Sequence, residues 1–102
     1  MEKVTYTKQD IINKVSKKMN IHNDEVKVIF ESILQTMSDI ICEENYLSRI
    51  EIRNFGVFEV KPTKAKPKAR NPRTNEEIYV PAHKKTRFKP SKLIKNYLKK
   101  PI

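Results

Sequence analysis

The chain has 102 residues and a mass of 12.1 kDa, which is enough for one small domain over residues 1–102 and excludes a second, catalytic domain. Lys and Arg number 22 against 12 Asp and Glu, so the net charge is +10 and we expect a polyanionic partner: nucleic acid first, an anionic membrane surface second. The single cysteine, Cys42, and the single glycine, Gly56, exclude an intramolecular disulfide, a Cys-rich zinc site and glycine-rich phosphate loops.

Two helices are predicted first along the chain. Thr7 can cap a helix that ends near Met19, because the acidic Asp10 follows three residues later and apolar residues recur at helical spacing. A second, longer helix is predicted from about Val26 to Ile41. Its apolar face is wider than the first helix alone could cover, which indicates self-association. Cys42, at its end, is expected to be a small buried residue.

Strand-like periodicity follows the helices. Residues 50–53 alternate, Asn54 offers a turn, and residues 55–60 resume a β-type run in which Gly56 indicates a bulge or a close backbone approach. Residues 78–80 form another strand-like segment. A last short helix is predicted from about Pro90 and Ser91, with Tyr97 and Leu98 in the core.

The positive charge is confined to the C-terminal part. The first sixty residues hold 8 basic and 10 acidic side chains, a net charge of −2, whereas the remaining forty-two hold 14 and 2, a net charge of +12. From residue 61 to 77 nothing can enter a core, so we predict a hairpin arm over approximately residues 61–80. Ten residues a side would extend it roughly 30 Å. Pro62 and Pro67 cannot donate ladder hydrogen bonds and should keep it irregular.

The tip of this hairpin, residues 70–75, allows two interpretations. Arg and Asn side chains can reach minor-groove acceptors of DNA, and a proline at the turn presents a rigid apolar edge that can wedge between base pairs. A merely solvated turn has a similar composition, since Asn and Pro are common in turns.

Three segments carry a resemblance to a known family. Residues 50–60, 69–78 and 88–92, together with the order of the helices, resemble the bacterial HU and integration host factor family of histone-like, DNA-bending proteins. The resemblance implies an α+β fold: two N-terminal helices forming an intertwined dimer body, a three-stranded antiparallel sheet with a long β-hairpin arm, and a short C-terminal helix. It also implies a cytoplasmic, nucleoid-associated homodimer that binds double-stranded DNA. No membrane, cofactor, metal or small-molecule ligand is implied.

The same resemblance implies roles for individual residues. Pro72 would intercalate between base pairs. The minor groove would be held by arm residues: Lys64, Lys66, Lys68, Arg70, Asn71, Arg73, Thr74 and Asn75. Phosphates would be met by residues outside the arm: Lys8, Arg53, Asn54, Lys84, Lys85, Arg87, Lys89, Ser91 and Lys92.

The chain departs from the family pattern in three places. Asn54 and Asn75 stand where glycines are usual, and the segment between Val60 and Pro72 is one residue longer. Asn tolerates a positive φ, so we expect both turns to form.

An alternative function is a basic RNA-binding or ribosome-associated protein, although the sequence offers no aromatic platform for unpaired bases. No carboxylate cluster or metal-ligand spacing indicates an enzyme. General and site-directed DNA binding both remain open.

Overall fold

The computed structural model describes residues 2–102 and contains three helices and five strands. They are α1 (Lys8–Met19), α2 (Asn23–Ile41), β1 (Ser48–Ile52), β2 (Gly56–Pro62), β3 (Lys66–Arg70), β4 (Glu77–Val80), β5 (Lys84–Pro90) and α3 (Lys92–Leu98). Two compact units divide the chain, one ending at Asp39 and the other beginning at Ile40. The elements confirm the predicted α+β class.

Helix α1 begins where the sequence indicates. Thr7 is its N-cap: the Asp10 amide donates to Thr7 Oγ1 at 3.3 Å, and the Thr7 amide donates to Asp10 Oδ2 at 2.8 Å. The hydrogen bond from the Thr7 backbone, followed by that from its side chain, lowers the pKa of Asp10 below its ordinary value. The helix ends at Met19, and the C-cap residue Asn20 takes a left-handed conformation with φ of 55°.

Helices α1 and α2 leave much of their shared apolar face open. Ile12 and Val26 are buried, but Ile29 is 59 % exposed and Ile33 is 50 % exposed. The open side chains line an apolar groove of about 320 Å³, which we call the helical groove: Ile11, Ile12, Val15, Met19, Ile21, Val26, Ile29, Phe30 and Ile33. As predicted, the two helices carry more apolar surface than they can cover for each other.

The three-stranded antiparallel sheet has the order β1-β2-β5. Val60 is buried, and the Phe88 ring lies 4.8 Å from Phe58 and 5.3 Å from Phe55, centroid to centroid. Of the two possibilities for Gly56, close approach is the one observed. A Cβ at this residue would lie 2.5 Å from the Lys89 carbonyl oxygen and 2.6 Å from the Phe88 ring.

The arm, residues 66–80, is a separate two-stranded sheet of β3 and β4. It is shorter than predicted, because Lys61 and Pro62 remain paired with β5 in the three-stranded sheet. Its strand β3 has five residues and extends roughly 17 Å before the tip, where ten residues a side had been predicted. Lys66 pairs with Val80 and Ala69 with Ile78, so β3 holds one extra residue around Pro67. This bulge accommodates the extra residue that the sequence indicates.

Two core predictions at helix ends were wrong. Tyr97 is 70 % and Leu98 71 % exposed, because α3 has only seven residues and buries none of them. Of its apolar residues, only Ile94 is half-buried. The Lys100 ammonium instead lies over the face of the Tyr97 ring, 4.7 Å from its centroid. Cys42 is exposed because it follows the last residue of α2 in a turn. No helix within residues 2–102 is both long and apolar enough to cross a bilayer.

Candidate nucleic-acid interface

One face of the three-stranded sheet is strongly basic. Side chains alternate between the two faces of a strand, and Glu59 pairs with Arg49 on β1 and with Arg87 on β5. The same alternation and register give the cations of this face, which we call the basic face: Arg49, Lys61, Lys85, Arg87 and Lys89. Three of the predicted phosphate contacts, all on β5, are therefore brought together.

Glu59 lies among these cations. Its Oε2 is 3.1 Å from Lys61 Nζ and 3.2 Å from Lys89 Nζ, and its side chain is only 13 % exposed. Hydrogen bonds from Lys61 and then Lys89 hold the pKa of Glu59 below its ordinary value, against the opposing effect of burial. The free protein thus neutralises part of its own basic face.

A second group of predicted contacts meets at the start of α3. Ser91 caps that helix by accepting from the Ile94 amide at 3.4 Å, and its hydroxyl donates to the Asn54 carbonyl at 2.9 Å. The Ser91 amide donates to the Phe55 carbonyl at 2.8 Å. Asn54 has φ of 67°, as its place in a glycine position predicts. These bonds bring together residues 37 positions apart, the turn cluster: Arg53, Asn54, Ser91 and Lys92.

The arm carries exposed cations along β3. Lys66, Lys68 and Arg70 are exposed, and Lys64 is exposed in the connection that precedes them. Arg70 leans toward the acidic partner strand, where its Nη2 lies 3.9 Å from Glu77 Oε1. At more than half exposure on both side chains, this ion pair is weak and leaves the guanidinium available.

The tip of the arm is ordered by local hydrogen bonds. The Arg73 amide donates to Asn71 Oδ1 at 3.0 Å across Pro72, and the Asn75 amide donates to the Asn71 carbonyl at 2.7 Å. Asn75 has φ of 61°, so the second glycine replacement also keeps its turn. Pro72 is exposed at the apex that these bonds define.

The base of the arm holds contacts that the sequence did not indicate. The Thr63 amide donates to the His83 carbonyl at 2.7 Å, and the His83 amide donates to Thr63 Oγ1 at 3.2 Å. Lys84, predicted as a phosphate contact, donates from Nζ to the carbonyls of Glu43 at 3.1 Å and Asn45 at 3.3 Å. Its ammonium thus has partners within the chain.

Lys8, the last of the predicted phosphate contacts, is the first residue of α1 and belongs to the first compact unit. Its Nζ is 3.5 Å from Glu31 Oε1. Sequence reasoning also missed two cations of the basic face, Arg49 and Lys61, and the carboxylate that lies among them, Glu59. The strand alternation held the signal, since all three fall in step with the cations of β5 once the register is known. Within residues 2–102 no three His, Cys, Asp or Glu side chains form a group that could hold a metal ion.

A small α+β protein with a basic sheet face and a basic β-arm is the class that these observations define. Residues 6–99 match the family described as bacterial DNA-binding protein, and the chain belongs to this family.

Named relatives agree with this assignment. The chain is 34 % identical over 93 residues to the DNA-binding protein HU of Thermotoga maritima, covering 91 % of this chain and 99 % of the relative. It is 36 % identical over 92 residues to the SPbeta prophage-derived DNA-binding protein HU 2 of Bacillus subtilis, covering 90 % and 96 %. The fold is similar to an Anabaena HU-DNA cocrystal structure, with a TM-score of 0.80, 24 % identity, and coverage of 94 % of this chain and 100 % of that one.

Proposed function

We propose that this chain is an architectural protein that binds double-stranded DNA through the minor groove with its arm, inserts Pro72 as a wedge and bends the duplex. Relatives named as DNA-binding proteins support the DNA-binding part. The tip geometry carries the finer part. Asn71 Oδ1 accepts from the Arg73 amide across Pro72, which defines a tight turn with the exposed Pro72 ring at its apex.

The physical argument for wedging is one of shape and charge. A rigid, apolar ring can replace part of the stacking that is lost when a base step opens, at a cost of a few kcal/mol per step. The flanking cations Arg70 and Arg73 suit a narrow, electronegative minor groove. The other residues proposed to hold the groove are Lys64, in the connection that precedes the arm, and five residues of the arm itself: Lys66, Lys68, Asn71, Thr74 and Asn75.

Phosphates beside the groove are proposed to meet the basic face and the turn cluster. Both groups present exposed cations, and contacts to phosphates position DNA without reading its sequence. Lys84 and Lys8 are weaker members of the proposed set, because their ammonium groups contact carbonyl and carboxylate oxygens within the chain.

We also propose that the functional unit is a homodimer. The helical groove is lined entirely by apolar residues and stays open in a single chain. A second copy supplies the same apolar groove and would cover it with matching chemistry. Two arms from two copies could then clasp one duplex.

The wedge is tested by Pro72→Ala, which leaves every charge in place. We expect the end-to-end distance of a bound duplex of about 35 base pairs, measured by fluorescence transfer at saturation, to be longer with the variant than with wild type because the bend is smaller. The dependence of affinity on salt should not change, since the number of phosphate contacts is unchanged.

Pro67→Ala is the matched control, because it replaces a proline of the same arm at the bulge of β3 and away from the tip. It should bend DNA as wild type does. Equal bending by wild type and Pro72→Ala would contradict the wedge and leave charge neutralisation and wrapping as the cause of any bend. Failure of all three proteins to bind duplex DNA, with binding to RNA instead, would contradict the proposed function.

A further inference from the structure

Glu59 occupies an unusual place for an acid in a DNA-binding surface. It lies in the middle strand of the sheet, on the face that carries five cations, with its side chain 13 % exposed. Lys61 and Lys89 both contact the same oxygen, Oε2, at 3.1 and 3.2 Å. Any phosphate that reaches these two ammonium groups must compete with this carboxylate.

The other charged groups on this face are accounted for strand by strand. On β1, Arg49 pairs with Glu51 at 3.0 Å, so its charge is directed to that carboxylate. On β5, Arg87 lies directly across from Glu59, and Lys85 lies across from Lys61. Among the cationic groups of residues 2–102, only the Lys61 and Lys89 ammonium groups lie within 4 Å of the Glu59 carboxylate. They are the groups whose movement would leave it without a close cation.

If the Lys61 and Lys89 ammonium groups pair with phosphates instead, the Glu59 carboxylate becomes an unpaired anion, which is unfavourable. A carboxylate that is mostly screened from water loses the cations that stabilised it. It also gains phosphate anions a few ångströms away, and like charges at that distance disfavour ionisation. Protonation removes this penalty, because a neutral carboxyl group is tolerated in partly buried surroundings far better than an unpaired anion.

We propose that Glu59 is a proton-linked counter-ion of the DNA-binding face. When DNA binds, Lys61 and Lys89 pair with phosphates, and the Glu59 carboxylate takes up one proton. The step forms one O–H bond on the carboxyl group, and the proton comes from water or buffer. No other covalent bond changes. The inference rests on the proposed DNA-binding function and deepens it, because it makes the affinity of that site respond to pH.

The direction of the effect follows from linkage. In the free protein the two lysines hold the pKa of Glu59 below its ordinary value of 4.5, and in the complex the phosphates raise it. Between these two pKa values binding takes up protons, so affinity rises as pH falls. The rise is at most about tenfold per pH unit for each chain, and it levels off below the pKa of the free protein.

Calorimetry measures the uptake directly. Wild-type protein is titrated into duplex DNA at mildly acidic pH in two buffers that differ in ionisation heat, and the difference gives the protons taken up. Glu59→Gln should take up fewer protons, by up to one per chain, and should bind DNA more tightly at neutral pH. All other side chains are the same in both proteins, so the difference in uptake between them reports Glu59 alone.

Glu51→Gln is the matched control. It removes the same charge from the same face, but Glu51 contacts Arg49 instead of the two lysines, so its proton uptake should equal that of wild type. A second measurement needs no variant: the carboxyl carbon shift of Glu59 is titrated in free and DNA-bound wild type. The pKa should be higher in the complex.

Three results would overturn the inference: equal proton uptake by wild type and Glu59→Gln, weaker DNA binding by a folded Glu59→Gln, or a Glu59 pKa that is unchanged or lower in the complex. In each of these cases DNA binding itself persists. A wild-type protein that does not bind duplex DNA would instead contradict the proposed function, so the two failures are distinguishable.

Discussion

Single residues fix the turns of this chain. Asn20, Asn54 and Asn75 all have φ between 55° and 67°, a region that most residues with a Cβ avoid. At Asn54 and Asn75 the sequence was sufficient to predict this, because asparagine tolerates the left-handed region better than other non-glycine residues. The identity of the close contact at Gly56 was not predictable, since its partners, Phe88 and the Lys89 carbonyl, are more than thirty positions away.

Gly56→Ala tests that contact. The new methyl group would meet a backbone oxygen 2.5 Å away, which cannot move without disturbing the β2–β5 ladder. We expect the free energy of unfolding to fall by about 1–3 kcal/mol in urea denaturation. Thr86→Ala, an exposed position in the same sheet, should change it by less than about 0.5 kcal/mol. Equal stability of the two variants would contradict the close approach.

The capping box predicts a pH dependence. Asp10 has a lowered pKa in the folded chain because the Thr7 backbone and side chain donate to its carboxylate. The stability that this provides is present above the ordinary pKa of 3.8 and is lost as pH falls through the lower folded value. Wild type should therefore exceed Asp10→Asn in unfolding free energy at neutral pH, and the difference should shrink in acid. A difference that is constant down to the lowest pH would rule this out.

At the scale of elements, local patterns predicted the helices and main strands. Thr7 located the start of α1 and Ser91 the start of α3, because capping depends only on neighbouring residues. The arm was predicted to begin at residue 61 because the apolar pattern stops after Val60, but Lys61 and Pro62 still pair with β5. Proline is tolerated at the end of a strand, and Pro62 there still pairs with Lys84. The contacts between Thr63 and His83 are long-range and left no sequence signal.

Those contacts predict how the arm moves. In the free protein we expect backbone order parameters across residues 66–80 to fall below the value of about 0.85 typical of rigid backbone, because the arm buries almost nothing. Thr63→Val removes the hydroxyl that the His83 amide and carbonyl both contact, and should lower the arm values further. Thr86→Val, at an exposed position of β5, should leave the order parameters of the arm unchanged. Arm values as high as those of the sheet would contradict this picture.

At the scale of the whole molecule, the charge asymmetry of the sequence predicted where the basic surfaces would lie. The sequence could not predict which cations are free to contact phosphate, because that depends on contacts within the folded chain, as for Lys61, Lys84 and Lys89.

Lys92 is exposed in the turn cluster. If it contacts a phosphate, Lys92→Ala should weaken binding to all sequences alike and reduce the salt slope by about 0.9 per contact, or about 1.8 per dimer. An unchanged slope would remove Lys92 from the interface.

The helical groove predicts that the free protein is an obligate dimer. Ile29 lines the groove, so Ile29→Asp would place a carboxylate where a second copy is expected to pack. We expect sedimentation at low micromolar concentration to show a dimer for wild type, and a largely unfolded monomer for Ile29→Asp, because a chain this small cannot bury enough apolar surface alone. Val28→Asp is the matched control, since Val28 is 69 % exposed on the same helix and does not line the groove. It should remain a folded dimer. A folded wild-type monomer at that concentration would show that α1 and α2 are stable without a second copy, and the two-armed clasp would lose its basis.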